Sequence, residues 1–276
     1  QERARARPVP GRPRYLGCTE SAEVRDAACR ALLRAWPGGP VDEFWLVVGG
    51  LSGLDSLCAL AAAKVPVDRV VFFDRDPLQL LFGELVMSLV DVCETREAFV
   101  QALFGRSMAA WGRSLSLSSM LSFLDLPLDP AVEAAVRGRL PERLRGLYGD
   151  VFACLARREG FPLAWPCFGW KERLPVRGLS NAKRRLGGGR NESLHINEAG
   201  WLRDEQSYAR ARAAAPAARR AFRLLELSEL QHAGPGRRVV FISNIDGSPQ
   251  FLDQGAEMAR LRAALRGGGR PLASAP

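Results

Sequence analysis

The sequence lacks the segments and side-chain clusters that define several classes of protein. No apolar run among the 276 residues approaches the roughly 18 needed to cross a bilayer, and the arginine-rich start has no apolar signal core. We therefore expect no transmembrane segment and a cytoplasmic location. Because there are only two histidines and the six cysteines form no C-x-x-C pair, we expect no metal site. Reduced cysteines are the simplest account, and a Cys18–Cys29 pair stays open.

The two common phosphate-binding motifs are also absent from the sequence. The glycine-rich stretch reads GGLSG, which matches neither the G-x-G-x-x-G pattern of dinucleotide-binding folds nor a P-loop with its Lys-Ser/Thr pair. The apolar run Phe44–Val48 before it predicts a buried strand. Gly49, Gly50 and Gly53 then predict a turn that lets a ligand approach the backbone closely.

The residues after this turn complete a nucleotide-binding pattern. Leu54–Ala63 has helical character, and the second apolar run Arg69–Phe73 predicts a strand that ends at Asp74. An acidic side chain at that position can accept hydrogen bonds from both hydroxyls of a ribose. A ribose-binding acid without phosphate machinery favours a nucleoside ligand such as S-adenosylmethionine. Glycine turns of this kind also follow strands in proteins that bind nothing there.

Positive charge is in excess, but its distribution indicates little about function. The formal net charge is +9, and residues 1–14 alone hold five arginines and one glutamate. This segment has nothing apolar to bury, so we predict a flexible basic arm. The remaining arginines alternate with alanine and glycine, and we give them little weight as evidence for a nucleic-acid partner.

The periodicity of the remaining chain predicts further elements in an α/β order. Asp76 and Pro77 are typical of a helix start. We predict helices over Glu20–Trp36, Pro77–Val92, Ala98–Phe104, Pro130–Leu144, Tyr148–Arg158 and Leu202–Ala215, and later strands over Phe222–Leu227 and Arg238–Ile242. The expected fold is α/β and Rossmann-like, of the class I methyltransferase type, with a largely parallel sheet flanked by helices.

About a hundred residues separate the helix that follows the second strand from the next predicted strand, which is too long for a loop. We predict the flexible arm 1–14, a first Rossmann part 15–105, an inserted, mostly helical cap 106–203, a second Rossmann part 204–266 and a flexible tail 267–276. The cap contains Trp165, Phe168 and Trp170 beside a basic, glycine-rich loop that includes Arg185. These residues either line an acceptor pocket with an anion-binding loop, or form the core of a small cap with a solvated loop.

Three stretches resemble a known family. The run VVGGLSGLDSLCALAAAKVPVDRVVFFDRDPLQLLFGELVMSLVDVCETREAFVQALFG, the helix WLRDEQSYARARA and the segment FISNID are similar to the diacylglycerol 3-amino-3-carboxypropyltransferases of betaine-lipid synthesis and their relatives, such as isonocardicin synthase. That family shares a glycine turn, an aspartate followed by a D/N-P-x-Q helix, a phenylalanine-glycine pair and an S-N-I segment. The resemblance covers about half of the chain and has no counterpart for residues 106–191.

The resemblance implies an S-adenosylmethionine-dependent transferase that moves a 3-amino-3-carboxypropyl group to a small-molecule or lipid acceptor. We predict two groups of functional residues on this basis. Those expected to bind the cofactor are Gly49, Gly50, Ser52, Gly53, Asp74, Arg75, Gln79, Leu227, Ser228, Ser243 and Asn244. Those expected to act on the acceptor are the catalytic residues Asp246, Asn244 and Tyr148 and the substrate-binding residues Trp165, Phe168, Trp170 and Arg185.

Two other functions fit the same residues. SNIDGSP has an asparagine, an aspartate and a proline where amino-methyltransferases have D/N-P-P-Y/F, so methyl transfer to a small molecule or to nucleic acid stays open. A methyltransferase-like fold that only binds is the third possibility. The presence of Asp74 and Asn244 argues mildly against it.

Overall fold

The computed structural model shows an α/β protein built on one parallel sheet. It describes residues 29–34, 36, 38–48, 53–74, 77–111, 126–156, 201–202, 204–225 and 237–241. The strands are β1 (Val41–Val47), β2 (Val67–Asp74), β3 (Arg220–Leu224) and β4 (Arg238–Phe241). They lie in the order β3-β2-β1-β4, and every neighbouring pair is parallel. This confirms the predicted α/β class, and the order is that of the first four strands in Rossmann-like sheets.

The helices follow the strands as a Rossmann-like chain requires. They are α1 (Gly53–Ala62), α2 (Pro77–Val92), α3 (Arg96–Phe104), the short α4 (Met108–Trp111), α5 (Pro130–Arg139), α6 (Glu142–Ala156) and α7 (Glu205–Ala214), with a 3₁₀ turn at Ala217–Arg219 and helical residues at 29–34. The prediction of a helix over Pro77–Val92 is confirmed. Its proline at the first position has the fixed φ of a helix and no N–H left unbonded.

The prediction of one helix over Pro130–Leu144 is wrong. The chain leaves the helix at Leu140, where φ is −77° and ψ is 150°, and begins a new helix after Pro141. The proline ring disfavours helical backbone at the preceding residue and has no N–H to donate. The predicted start of the next helix at Tyr148 is also wrong, because α6 already begins at Glu142, directly after Pro141.

Helices α1 and α2 pack on one face of the sheet, and two glycines allow them to come close. A Cβ on Gly53 would lie 2.7 Å from Leu46 Cβ, and a Cβ on Gly83 would lie 2.4 Å from Val48 Cγ1. Leu46 and Val48 point to this face together with Phe44, and all three are buried in the main hydrophobic cluster. The glycines therefore fix how near the two helices lie to the end of β1.

The described part of the predicted cap packs on these helices. Helix α6 contacts α2, and α5 contacts both α2 and α3. Their buried side chains, such as Val132 and Leu144, belong to the same hydrophobic cluster as the sheet. Gly105 caps α3 in the left-handed conformation, with φ at 64°, and a Cβ there would lie 2.3 Å from the Phe152 ring. Residues 126–156 thus extend the core of the sheet domain, while residues 157–200 lie outside the described ranges.

Cys29, Cys58 and Cys93 are thiols that form no disulfide. Cys29 Sγ lies 3.6 Å from Ser56 Oγ, which places helical residues 29–34 beside α1. Cys18 lies outside the described residues, as do the arm 1–14 and the tail 267–276.

Candidate functional site

The carboxyl ends of β1, β2 and β4 meet at one edge of the sheet. Val47 pairs with Phe73, and Leu46 pairs with Phe241, so the three strands end at nearly the same level. The chain proceeds from β1 to β2 to β3 in one direction and then returns to place β4 on the other side of β1. The crevice at such a reversal of strand order is where open parallel sheets bind ligands.

Asp74 lies at this edge as the last residue of β2. It pairs with Leu224 at the end of β3, and its carbonyl accepts a hydrogen bond from Leu225 N at 3.0 Å. The side chain is half-buried, whereas the four residues before it are buried. The predicted end of the strand is therefore confirmed, and a carboxylate stands where the buried strand meets the open edge.

The first turn of α1 faces the same edge between β1 and β4. A Cβ at Gly53 would meet Leu46 Cβ at 2.7 Å and Phe241 Cδ1 at 3.1 Å, so only glycine lets the helix begin there. The N–H groups of this first turn have no partner within the helix, and the helix dipole makes them positive. Gly53 thus permits the close packing of α1 on β1 and β4.

Gln79 and Val48 are buried near this edge. Gln79 stands in the first turn of α2 and is only 1% exposed, and Val48, the residue before the glycine turn, packs against Gly83 of the same helix. Val48 N also donates to Phe73 O at 3.0 Å. Helix α2 therefore supports the end of β1, just before the glycine-rich stretch of the sequence.

A turn at residues 201–202 is held next to α1 by hydrogen bonds. Asp55 Oδ1 in the first turn of α1 accepts a hydrogen bond from Trp201 N at 2.7 Å. The buried Arg96 donates from Nε to Leu202 O at 2.7 Å, and the Glu205 carboxylate accepts from Arg96 N at 3.0 and 3.1 Å. Burial lowers the pKa of Arg96, and the nearby Glu97, Glu205 and Asp204 oppose this shift.

The sequence alone does not predict these roles for Asp55, Trp201 and Arg96. The signals in the sequence are an aspartate two residues after Gly53 and the charged WLRDE segment before a helix. The contact from Asp55 to Trp201 spans 146 residues, so no local pattern reveals it.

Tyr148, which we predicted to be catalytic, is buried in helix α6. Its hydroxyl donates to Ala102 O at 2.8 Å, and its ring contacts Phe152 with centroids 6.4 Å apart. Burial, followed by the charge of Glu133, raises the pKa of Tyr148. This placement makes Tyr148 a core residue that satisfies a carbonyl in the last turn of α3, and it lends no support to a role in proton transfer.

The other predicted site residues lie outside the described ranges and remain predictions. They are Gly49, Gly50, Ser52, Arg75, Leu227, Ser228, Ser243, Asn244, Asp246, Trp165, Phe168, Trp170 and Arg185. Of the predicted cofactor residues, the structure brings Gly53, Asp74 and Gln79 to the carboxyl edge of the sheet or the helices beside it.

Within the described ranges, no cluster of histidine, cysteine or acidic side chains has the composition of a metal site. Among the same residues, no helix combines the length and apolar composition that crossing a bilayer requires. Comparison of the chain with protein-family models, with curated proteins and with solved structures gives no match.

Proposed function

We propose that the protein binds S-adenosylmethionine at the carboxyl edge of its sheet and transfers the 3-amino-3-carboxypropyl group to a small-molecule or lipid nucleophile. The observation that carries the binding part is the position of Asp74. The half-buried residue Asp74 ends β2 beside the end of β1, which precedes the predicted glycine turn in the sequence. Its two oxygens suit the two hydroxyls of a ribose.

The surroundings of Asp74 fit a nucleoside. Gly53 lets α1 begin in contact with β1 and β4, so its first-turn N–H groups face the crevice. The carboxylate of the amino-acid arm could accept hydrogen bonds from backbone amides of the glycine-rich stretch before α1. No lysine or arginine stands in this first turn or at the last residues of β1 and β2. The described part of the edge therefore suits a ribose better than a phosphate.

The chemistry of S-adenosylmethionine requires mainly positioning from the protein. When it is bound, the sulfonium makes its three attached carbons electrophilic. A bond from the nucleophile to one of them breaks the carbon–sulfur bond and leaves the electron pair on sulfur. The nucleophile loses its proton to a base or to water. The protein selects the product by which carbon it holds in line with the nucleophile. The predicted residues for this step are Asn244 and Asp246.

Replacing Asp74 by alanine tests the binding site. We expect the substitution to remove charge-assisted hydrogen bonds to the ribose worth about 1.5 to 3 kcal/mol, which corresponds to about ten- to hundredfold weaker binding. The measurement is calorimetric titration with S-adenosylmethionine. Asp68→Ala is the matched control, because Asp68 is exposed at the other end of the same strand. Equal affinities for Asp74→Ala and the wild type would refute the assignment.

The transferred group is tested by the product. After incubation with candidate acceptors, methylthioadenosine is expected to accumulate, because it remains when the aminocarboxypropyl group leaves. S-adenosylhomocysteine in its place would establish methyl transfer. If neither product forms with any acceptor while S-adenosylmethionine still binds, the chain is a binding module.

A further inference from the structure

Asp55 places a negative charge where nucleotide-binding folds usually offer a positive one. It is the third residue of α1, in the turn that faces the crevice between β1 and β4. In dinucleotide-binding folds, the first turn of the corresponding helix binds a pyrophosphate with its N–H groups and its dipole. The dipole is equivalent to only about half a positive charge, so a full carboxylate in the same turn reverses the local sign.

The carboxylate of Asp55 is held in place by its surroundings. Oδ1 accepts a hydrogen bond from Trp201 N at 2.7 Å, and Trp201 is itself buried by Phe99 and Tyr208. Oδ2 is enclosed by protein as well. A carboxylate in these surroundings cannot swing away from the first turn into bulk water, and charges that are shielded from water act more strongly on their neighbours.

The charge of Asp55 already influences another group on the same helix. Burial is the main cause that raises the pKa of the Cys58 thiol to about 12, and the negative charge of Asp55 adds to it. A phosphate placed at the start of α1 would thus meet negative charge from the first turn of that helix.

We propose that Asp55 sets the charge selectivity of this site, so that it favours an adenosine ligand with a positive group near the start of α1 over an adenosine phosphate. The inference rests on the proposed function, in which the positive group is the sulfonium of S-adenosylmethionine. Asp55 is then a specificity-determining residue that acts through its charge. Its hydrogen bond to Trp201 keeps the carboxylate in position.

The test compares three ligands on Asp55→Asn. The asparagine keeps a side-chain oxygen that can accept the bond from Trp201 N, so the change removes mainly the charge. The ligands are S-adenosylmethionine, S-adenosylhomocysteine, which lacks the sulfonium charge, and adenosine 5′-monophosphate. We expect binding of the first to weaken about three- to sevenfold and binding of the third to tighten by a similar factor. A change in affinity of this size corresponds to the interaction with one charge over about 7 Å in an effective dielectric constant of about 40 to 80.

S-adenosylhomocysteine should bind to Asp55→Asn nearly as it does to the wild type, because its sulfur is neutral. Asp68→Asn, the same change at an exposed position of β2, should leave all three affinities unchanged. The differences in affinity between Asp55→Asn and the wild type should also become smaller as salt is added, because mobile ions screen the interaction of charges near the protein surface.

The outcomes separate this inference from the function on which it rests. If Asp55→Asn changes all three affinities by the same factor, Asp55 is only structural and the inference is wrong. Unchanged affinities would overturn it too, and in both cases binding by the wild type would leave the proposed function standing. If the wild type binds none of the three ligands, the proposed function fails and this inference fails with it.

Discussion

Replacing Gly83 by alanine should destabilise the protein unless Val48 is shortened at the same time. The added Cβ would lie 2.4 Å from Val48 Cγ1 and 3.0 Å from Val48 Cγ2. The first of these distances is about 1 Å inside the optimal separation of about 3.5 Å between non-bonded carbons. Val48 is 1% exposed and β-branched, so it can neither move into solvent nor change rotamer easily. Overpacking of this kind costs about 1 to 3 kcal/mol.

The higher helix propensity of alanine stabilises the protein and so opposes this clash, and a matched control corrects for it. Gly146 lies inside α6, and a Cβ there would meet nothing within 4 Å. Gly146→Ala should therefore stabilise the protein by about 0.5 to 1 kcal/mol. Since both substitutions gain this propensity, their difference isolates the clash.

A double-mutant cycle with Val48→Ala gives the decisive measurement. Val48→Ala alone should cost about 1.5 kcal/mol, from about 0.8 kcal/mol for each of two buried methyl groups. In that background, the nearest remaining atom of residue 48 is its Cβ at 3.3 Å, a distance that a small shift relieves. Gly83→Ala should then stabilise the protein by about 0.5 to 1 kcal/mol, as Gly146→Ala does, which corresponds to a coupling energy of about 1 to 3 kcal/mol.

The assay is urea unfolding followed by circular dichroism for the wild type, the two single variants, the double variant and Gly146→Ala. If the effects of Gly83→Ala and Val48→Ala add within about 0.5 kcal/mol, the close approach of α2 to the end of β1 is wrong. The same conclusion would follow if Gly83→Ala stabilised the protein as much as Gly146→Ala.

Two further predictions concern buried titratable groups. Tyr148→Phe should lower the free energy of unfolding by about 1 to 2 kcal/mol, because the buried carbonyl of Ala102 loses its side-chain donor. Turnover well below the melting temperature should persist. Loss of turnover at unchanged stability would restore Tyr148 as a catalytic residue. Burial raises the pKa of Cys93 from 9.0 to about 11, so the unfolded chain releases this proton first and stability should fall as the pH rises from 9 to 11. In urea titrations, the free energy of unfolding should fall less between pH 8 and pH 10 for Cys93→Ala than for the wild type. An equal fall in the two proteins would contradict the raised pKa of Cys93.

The elements that the sequence predicts well are those with strong local signals. The apolar run at Phe44–Val48 corresponds to β1, and the proline start and apolar periodicity of Pro77–Val92 correspond to α2. The predicted Leu202–Ala215 helix begins later, at Glu205, because the Asp204 side chain accepts from Ser207 N and caps the helix there. Local chemistry decides each of these boundaries, so a closer reading of caps and prolines would have improved them.

The contacts that build the site are harder to predict. Asp55 meets Trp201 across 146 residues, and the buried Arg96 reaches Leu202 across 106. These partners depend on how α1, α3 and α7 pack, and a hydrogen bond between distant positions leaves no periodic trace in either segment. Tyr148 illustrates the converse case, because a tyrosine that suits catalysis by type is used to complete the core.

The position of β4 beside β1 has a consequence for how the chain is made. Strand β1 meets β2 after one short helical connection, but Glu43 of β1 meets Arg238 of β4 across 195 residues. At a synthesis rate of about 5 to 20 residues per second, β1 waits about 10 to 40 s for this second neighbour. Until then this central strand of the sheet has an open edge that can pair with another chain. Pairings of such long range also slow folding itself. The yield of folded protein in a cell therefore depends on how well this edge of β1 is protected during synthesis.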